Sequence, residues 1–236
     1  KDIIFAKFWE SYQLDSISGQ LDYVEPALFG YAAARVIENF YEFNISAHDK
    51  LVAIFHEWMT ATGVLHLREN VPQIGCIFTT HATVLGRSIA GNNLPLYSEF
   101  DNYPGETTAR RFDVMSKFSL ERAAARVSDV FTTVSEITAE ECKHFLGRQV
   151  DIVTPNGFDD GFVPPPAEFA NRREIARIKL MQVSRALFNT DLPDDSLLVI
   201  NSGRYEFRNK GIDLYIDALA RLNKNPDLKK SIIAFI

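Results

Sequence analysis

Residues 201–222 read NSGRYEFRNKGIDLYIDALARL, and the four residues before them are Leu197, Leu198, Val199 and Ile200. The reading of this stretch settles the fold class. The four apolar residues make a short uninterrupted run, the pattern of a buried parallel strand. Ile212, Tyr215, Ile216, Leu219 and Leu222 then recur at helical spacing and fall on one face. A strand therefore passes through a turn into a helix, which is the opening of a β-α-β unit. The turn carries Arg204, Arg208 and Lys210, with Glu206 as the acid among them. A helix N-terminus disfavours positive charge. Cations gathered there point to a bound anion, which the free N–H groups of the helix start also favour.

The same alternation extends along the whole chain. Short apolar runs lie at 3–5, 51–55, 75–80, 129–134, 150–154 and 232–236. None alternates with polar residues, which predicts strands buried on both faces. Helical patterns fill the intervals at 27–40, 59–68, 109–126 and 137–145. Strand and helix in regular succession predict an α/β fold with a parallel sheet. Thr138-x-x-Glu141 matches a capping box near the start of its helix. Glu121 and Glu136 are the acidic candidates near possible sites; Glu121, with Arg122, sits in the middle of the long pattern at 109–126, where a solvated i,i+4 pair is its expected use.

Residues 163–195 have a different character. VPPPAEF is stiff and extended. Residues 171–188 form one amphipathic pattern, with Ile175, Ile178, Met181 and Ala186 along one side, and NTDLPDDS is a polar loop. The expected organisation is a first Rossmann-like lobe at 1–162, incomplete at its start, a connector with a helix at 163–195, and the start of a second lobe at 196–236. That last segment holds one β-α-β unit, far short of the ~100 residues that usually build a core. The chain starts at Lys1 and stops within an apolar run. It reads as a piece of a longer protein.

The chain has 236 residues, 46% hydrophobic and 24% charged, with a net charge of −6. This is an ordinary globular composition, and an acidic one. It speaks against nucleic acid as a partner, since no continuous basic face is present. No apolar run reaches the length of a membrane span and no signal peptide is visible, so no membrane partner and a cytoplasmic location are expected. Cys76 and Cys142 are too few for a disulfide framework and are expected as free buried thiols. The sequon Asn44-Ile45-Ser46 is expected to be unused.

In a parallel sheet, ligands bind beyond the carboxyl ends of the strands. The residues that follow each strand are therefore the candidates: His56-Glu57-Trp58, His81-Ala82-Thr83 with Gly86-Arg87, Ser135-Glu136, Pro155-Asn156-Gly157, and Arg204 with Lys210. Together they form a polar, anion-friendly rim. His56-Glu57 is not a zinc protease motif, because Thr60 stands where the second histidine would be. His56 reads either as a site residue or as a loop histidine satisfied by backbone. His81 reads either as a donor to a substrate hydroxyl or as a loop cap. No GxSxG, GxxxxGK[ST] or GxGxxG occurs. Two charge-assisted bonds from Arg204 and Lys210 would supply about 3–6 kcal/mol. That corresponds to tens of micromolar binding at best. The pair therefore suits a diphosphate carried by a larger ligand.

The blocks FHEW, IFTTHATVLGR, SLERAAARVSDVFTTVSEITAEE, PNGF and SGRYEFRNKGIDLYIDALARLN resemble the glycogen synthase family of animals and fungi. The resemblance runs from about residue 28 to the end, and weakens at 92–108 and through the connector. It implies a retaining glycosyltransferase of the GT-B class, with two Rossmann-like lobes across a cleft. It also implies the reaction: glucose passes from UDP-glucose to the 4-hydroxyl at the non-reducing end of an α-1,4-glucan, with retention. Matched to the family pattern, Arg204 and Lys210 would hold the donor diphosphate and stabilise the leaving UDP. Arg87 would approach the same phosphates, and His81 would contact the transferring glucose. His56, Glu57, Trp58 and Asn156 would line the cleft.

No metal or cofactor is expected, because arginine and lysine would carry the charge role. The expected partners are the sugar nucleotide and the glucan, with a homo-oligomer of the full-length protein open. The family's glycine-rich loop would precede residue 1. Its catalytic-site glutamate and uracil-binding region would follow residue 236. The fragment alone is therefore expected to be inactive. Two alternatives remain on the same residues: another retaining GT-B transferase with a different donor or acceptor, and a non-catalytic glucan-binding paralogue.

Overall fold

The computed structural model describes residues 1–46 and 48–236. The chain divides into two compact units, residues 1–156 and 157–236. Both are built on parallel sheets, as the alternation of strand and helix predicts.

In the first unit, helices α1 (Asp2–Tyr12) and α2 (Leu21–Asn44) precede strand β1 (Val52–His56). A short 3-10 turn, Trp58–Thr60, leads into α3 (Ala61–Asn70), and β2 (Gly75–Thr80) follows. Helices α4 (Val84–Gly91), α5 (Gly105–Arg111) and α6 (Met115–Val127) connect β2 to β3 (Val130–Thr133). Helix α7 (Glu136–Glu141) continues as a π-helical turn, Cys142–Leu146, and ends at Gly147 with φ 67, the left-handed stop that favours glycine. Strand β4 (Ile152–Val153) closes the unit. The sheet order is β1-β2-β3-β4, parallel throughout.

The sequential order has a consequence for burial. Right-handed crossovers that always step the same way send their helices to one face of the sheet. The covered face carries Ala53, Phe55, Cys76, Phe78 and Phe131, and Phe78 stacks on its register partner Phe131 with ring centroids 5.8 Å apart. The other face carries Val52 and Ile54, exposed at 56% and 59%. Burial on both faces, expected from the unbroken apolar runs, therefore fails at β1.

Three further expectations are corrected. Residues 3–5 are helical, because Phe5, Phe8 and Tyr12 continue the run at helical spacing and Phe5 and Phe8 are buried. The single helix at 109–126 is two helices, broken at Asp113, whose φ of 55 lies in the left-handed region that aspartate tolerates. Helix α4 is an addition to the expected helices; it spans Val84–Gly91 and is capped by Thr83.

In the second unit, α8 (Pro166–Phe188) is one helix that starts on a proline, as the first helical position allows. Strand β5 (Leu197–Ile200), helix α9 (Ile212–Leu222) and parallel strand β6 (Ile232–Phe235) form the β-α-β unit. Its buried apolar residues are Met181, Ile212 and Ile233. Ile216 and Leu222, on the predicted apolar face of α9, are 45% and 40% exposed. The amphipathic face exists, but the second unit has little core to place it on.

Candidate functional site

The carboxyl ends of β1 and β2 lie side by side, with His56 in register with Thr79. This brings the two histidines together. His56 Nδ1 lies 3.1 Å from His81 Nε2, with ring centroids 5.3 Å apart. One of these nitrogens carries the shared proton and the other accepts it. The two imidazoles are thus coupled, and His81 keeps Nδ1 for a ligand.

Glu57 follows His56 in an unusual conformation. Its φ of 64 and ψ of 163 fall in a region that side-chain-bearing residues rarely enter, at a cost of about 1–3 kcal/mol. Hydrogen bonds hold it there on every side. Its N–H donates to the Thr79 carbonyl at 2.8 Å, and its carbonyl accepts from Thr60 N–H at 3.2 Å. Its Oε1 accepts from the His81 backbone N–H at 3.1 Å and from Arg87 Nη2 at 3.3 Å. The strain therefore directs one carboxylate between the histidine loop and the arginine. The Arg87 side chain is 58% exposed, so this ion pair contributes little stability and leaves the guanidinium free to meet a ligand.

Trp58 is turned inward. Its ring stacks on Tyr23 with centroids 6.1 Å apart, and the Lys117 ammonium lies 5.4 Å from the ring centroid. Asn156 is exposed just beyond β4, and no side-chain hydrogen bond holds it among the described residues.

Two acids that sequence reasoning placed elsewhere lie directly behind the loop. Glu121, expected on a solvated face, has 0% exposure. Its Oε1 is 2.7 Å from Thr80 Oγ1, and its Oε2 accepts the Val84 N–H at 3.0 Å. Burial pushes its carboxyl up to about 8, against partial relief from those two hydrogen bonds, and the negative charges of Glu57 and Glu141 add to the rise. At neutral pH the group is mainly the neutral acid. Oε1 accepts from the Thr80 hydroxyl and Oε2 from the Val84 N–H, so a donor holds each oxygen. The signal was present in the sequence. Glu121 is three and four residues from Phe118, Ala124 and Ala125, all fully buried, and so lies on the apolar face of α6. Arg122 leaves the other way, to Glu106 at 2.9 Å.

Glu141, expected to cap its own helix, does not do so. The cap is Ser135, whose side chain accepts from the Thr138 N–H. Glu141 accepts instead from Thr83 Oγ1 and from the Tyr97 hydroxyl, each at 2.7 Å. Thr83 caps α4 by accepting the Gly86 N–H at 2.9 Å. A Cβ on Gly86 would lie 2.1 Å from Glu141 Oε2, which is why a glycine precedes Arg87.

In the second unit, Arg204 and Lys210 both leave the β5–α9 connection and both are exposed. The Lys210 stem lies along Gly203, beside Arg204, since a Cβ there would be 3.5 Å from Lys210 Cδ. Gly211 takes φ 66 at the start of α9, a left-handed turn that favours glycine. Arg204 Nε reaches Glu206 at 3.0 Å, an exposed pair worth at most about 1 kcal/mol. The connection can therefore present two cations and a helix start to one anion.

Among the described residues, no group of three or more His, Cys, Asp or Glu side chains is arranged to hold a metal ion. None of the described helices is long and apolar enough to cross a membrane. Cys76 and Cys142 are free and buried.

The fold and these strand-end residues define a class: a pair of Rossmann-like α/β units with a histidine–arginine rim on one and a dication turn on the other. The family model for glycogen synthase matches residues 3–236. The chain belongs to the glycogen synthase family. It is 37% identical to the glycogen (starch) synthase of Caenorhabditis elegans over 202 residues, covering 84% of this chain and 30% of that protein. It is 35% identical to isoform 2 of Saccharomyces cerevisiae over 236 residues, covering 97% and 33%. It is 33% identical to the mouse liver enzyme over 219 residues, covering 92% and 31%. The chain spans about a third of the length of the curated relatives it matches.

Proposed function

We propose that the protein containing this chain is a glycogen synthase. It transfers glucose from UDP-glucose to the non-reducing end of an α-1,4-glucan, with retention. The observation that carries the reading is the exposed pair Arg204 and Lys210 on one strand-to-helix connection, in a chain of this family. Breaking the bond between glucose C1 and the phosphate oxygen leaves negative charge on UDP and positive charge on the sugar. Fixed cations at the diphosphate lower that barrier, and they do so best where water is excluded.

In this reading Arg204 and Lys210 hold the donor diphosphate. Arg87 adds a third positive group for the donor. His81 donates through Nδ1 to a glucose hydroxyl, with His56 fixing its tautomer from the other nitrogen. Glu57 orients Arg87 and the His81 backbone. His56, Glu57 and Asn156 are the proposed lining of the donor site, and Trp58 supports them from behind by packing on Tyr23. No metal has a role in this scheme, since the side-chain cations carry the charge. The proposed setting is the cytoplasm, where sugar nucleotide and glucan meet.

The test is transfer by the full-length protein. Arg204→Ala and Lys210→Ala should each lower the rate at least tenfold, since each loses a charge-assisted bond of about 1.5–3 kcal/mol. Calorimetry should show weaker UDP-glucose binding in both. Near-normal rates in both variants would reject the assignment.

A further inference from the structure

Three residues, His81, Ala82 and Thr83, separate the end of β2 from the start of α4. Two buried acids grip this short loop from beneath. Glu121 touches both of its ends: Thr80, the last residue of β2, and Val84, the first of α4. Glu141 touches it at Thr83, its last residue, and lies against Gly86, the neighbour of Arg87. Both acids come from elements remote in sequence, α6 and α7. Neither reaches the exposed rim, being 0% and 4% exposed.

We propose that Glu121 and Glu141 are positioning residues for the donor site, which set the direction in which His81 and Arg87 leave the sheet. The proposal rests on the assignment of His81 and Arg87 to the donor. A short loop with free ends has many conformers, and each buried hydrogen bond removes some of them. Glu121 ties together the two points between which the loop is hung. Its position on the apolar face of a helix, with no cation bonded to it, is costly for stability alone. A leucine or methionine would fill that space without the burden. The acid earns its place through the Thr80 and Val84 contacts. Its two oxygens accept from the Thr80 hydroxyl and the Val84 N–H at once, which no apolar side chain could do.

The experiment is steady-state transfer by the full-length protein, with donor and glucan varied separately. Glu121→Leu should lower kcat/KM for UDP-glucose at least tenfold while the KM for glucan moves less than twofold. Glu121→Gln keeps an acceptor for Val84 and a polar group beside Thr80, whose hydroxyl can turn to accept from the amide, and should recover to within threefold of the native value. The decisive arm is the cycle with His81→Ala. Glu121 acts through the loop, so Glu121→Leu should cost less than threefold more once His81 is gone. Thr83→Val tests the Glu141 arm in the same cycle, and also serves if Glu121→Leu does not fold. Losses that multiply with His81→Ala would overturn the proposal, as would equal losses on donor and glucan. If His81→Ala itself transfers at the native rate, the donor-site assignment fails, and the proposal falls with it.

Discussion

His56 Nδ1 and His81 Nε2 are 3.1 Å apart at the carboxyl ends of two neighbouring parallel strands. A contact this short between two imidazoles allows only one bridging proton. His56 therefore decides which nitrogen of His81 faces a ligand. In the full-length protein, His56→Ala should slow transfer several-fold, and His81→Ala at least tenfold. The double variant should be no slower than His81→Ala, because the first residue acts through the second. Multiplying losses in the rate assay would mean that His56 has a separate job.

Glu121 should leave a signature in the pH dependence of stability. Its carboxyl is pushed from 4.5 to about 8 in the folded chain, chiefly by burial. Between those values the unfolded chain has released a proton that the folded chain still holds. Stability therefore falls as pH rises across that window, by about 1.4 kcal/mol per pH unit, and the slope vanishes below 4.5 and above 8. Glu121→Gln removes the titration and should flatten the curve between pH 5 and 8. Urea unfolding at several pH values measures it. Parallel curves for the two proteins would contradict the burial of an ionisable acid at this position.

Gly86 and Gly91 lie on the same helix and should respond with opposite sign to alanine. At Gly86 the new methyl would meet Glu141 Oε2 at 2.1 Å and Thr83 Oγ1 at 2.8 Å. Displacing them should destabilise by about 1–3 kcal/mol. At Gly91 nothing lies within 4 Å and φ is unexceptional. Alanine there should stabilise by up to about 1 kcal/mol, through the lower entropy of the unfolded chain. Equal effects at the two sites, read by denaturant midpoints, would argue against the carboxylate contact at Gly86.

Residues 195–236, expressed alone, should show no cooperative thermal transition. Ile212 and Ile233 are the buried apolar side chains in that segment, while Leu197, Leu214 and Ile216 are 45%, 71% and 45% exposed. Two buried side chains offset only a small part of the ordering entropy of some forty residues. A sharp calorimetric transition would show that the segment carries a core of its own.

Much of the architecture was legible before any coordinates. The runs at 75–80 and 197–200 are strands with those bounds, and the pattern 212–222 is a helix with those bounds. Local periodicity reports these well because each element repeats its own spacing. The run at 3–5 misled because three apolar residues fit either period, and only Phe8 and Tyr12 beyond it choose the helix. The break at Asp113 was invisible because aspartate enters the left-handed region without a marker such as glycine.

Sequence alone determined the α/β class, the family through its ordered blocks, and the strand-end candidates His56, His81, Arg87, Arg204 and Lys210. Those are consequences of local spacing and of the order of residues along the chain. Only the tertiary structure decided that Glu121 and Glu141 lie beneath the His81 loop, that His56 meets His81, and that one face of β1 is open. Each of these depends on which distant segments pack together. A carboxylate's environment is set by neighbours 37 to 58 positions away, as in the bonds of Glu121 to Val84 and Glu141 to Thr83. No local period encodes that proximity; it arises when crossover helices close over a sheet.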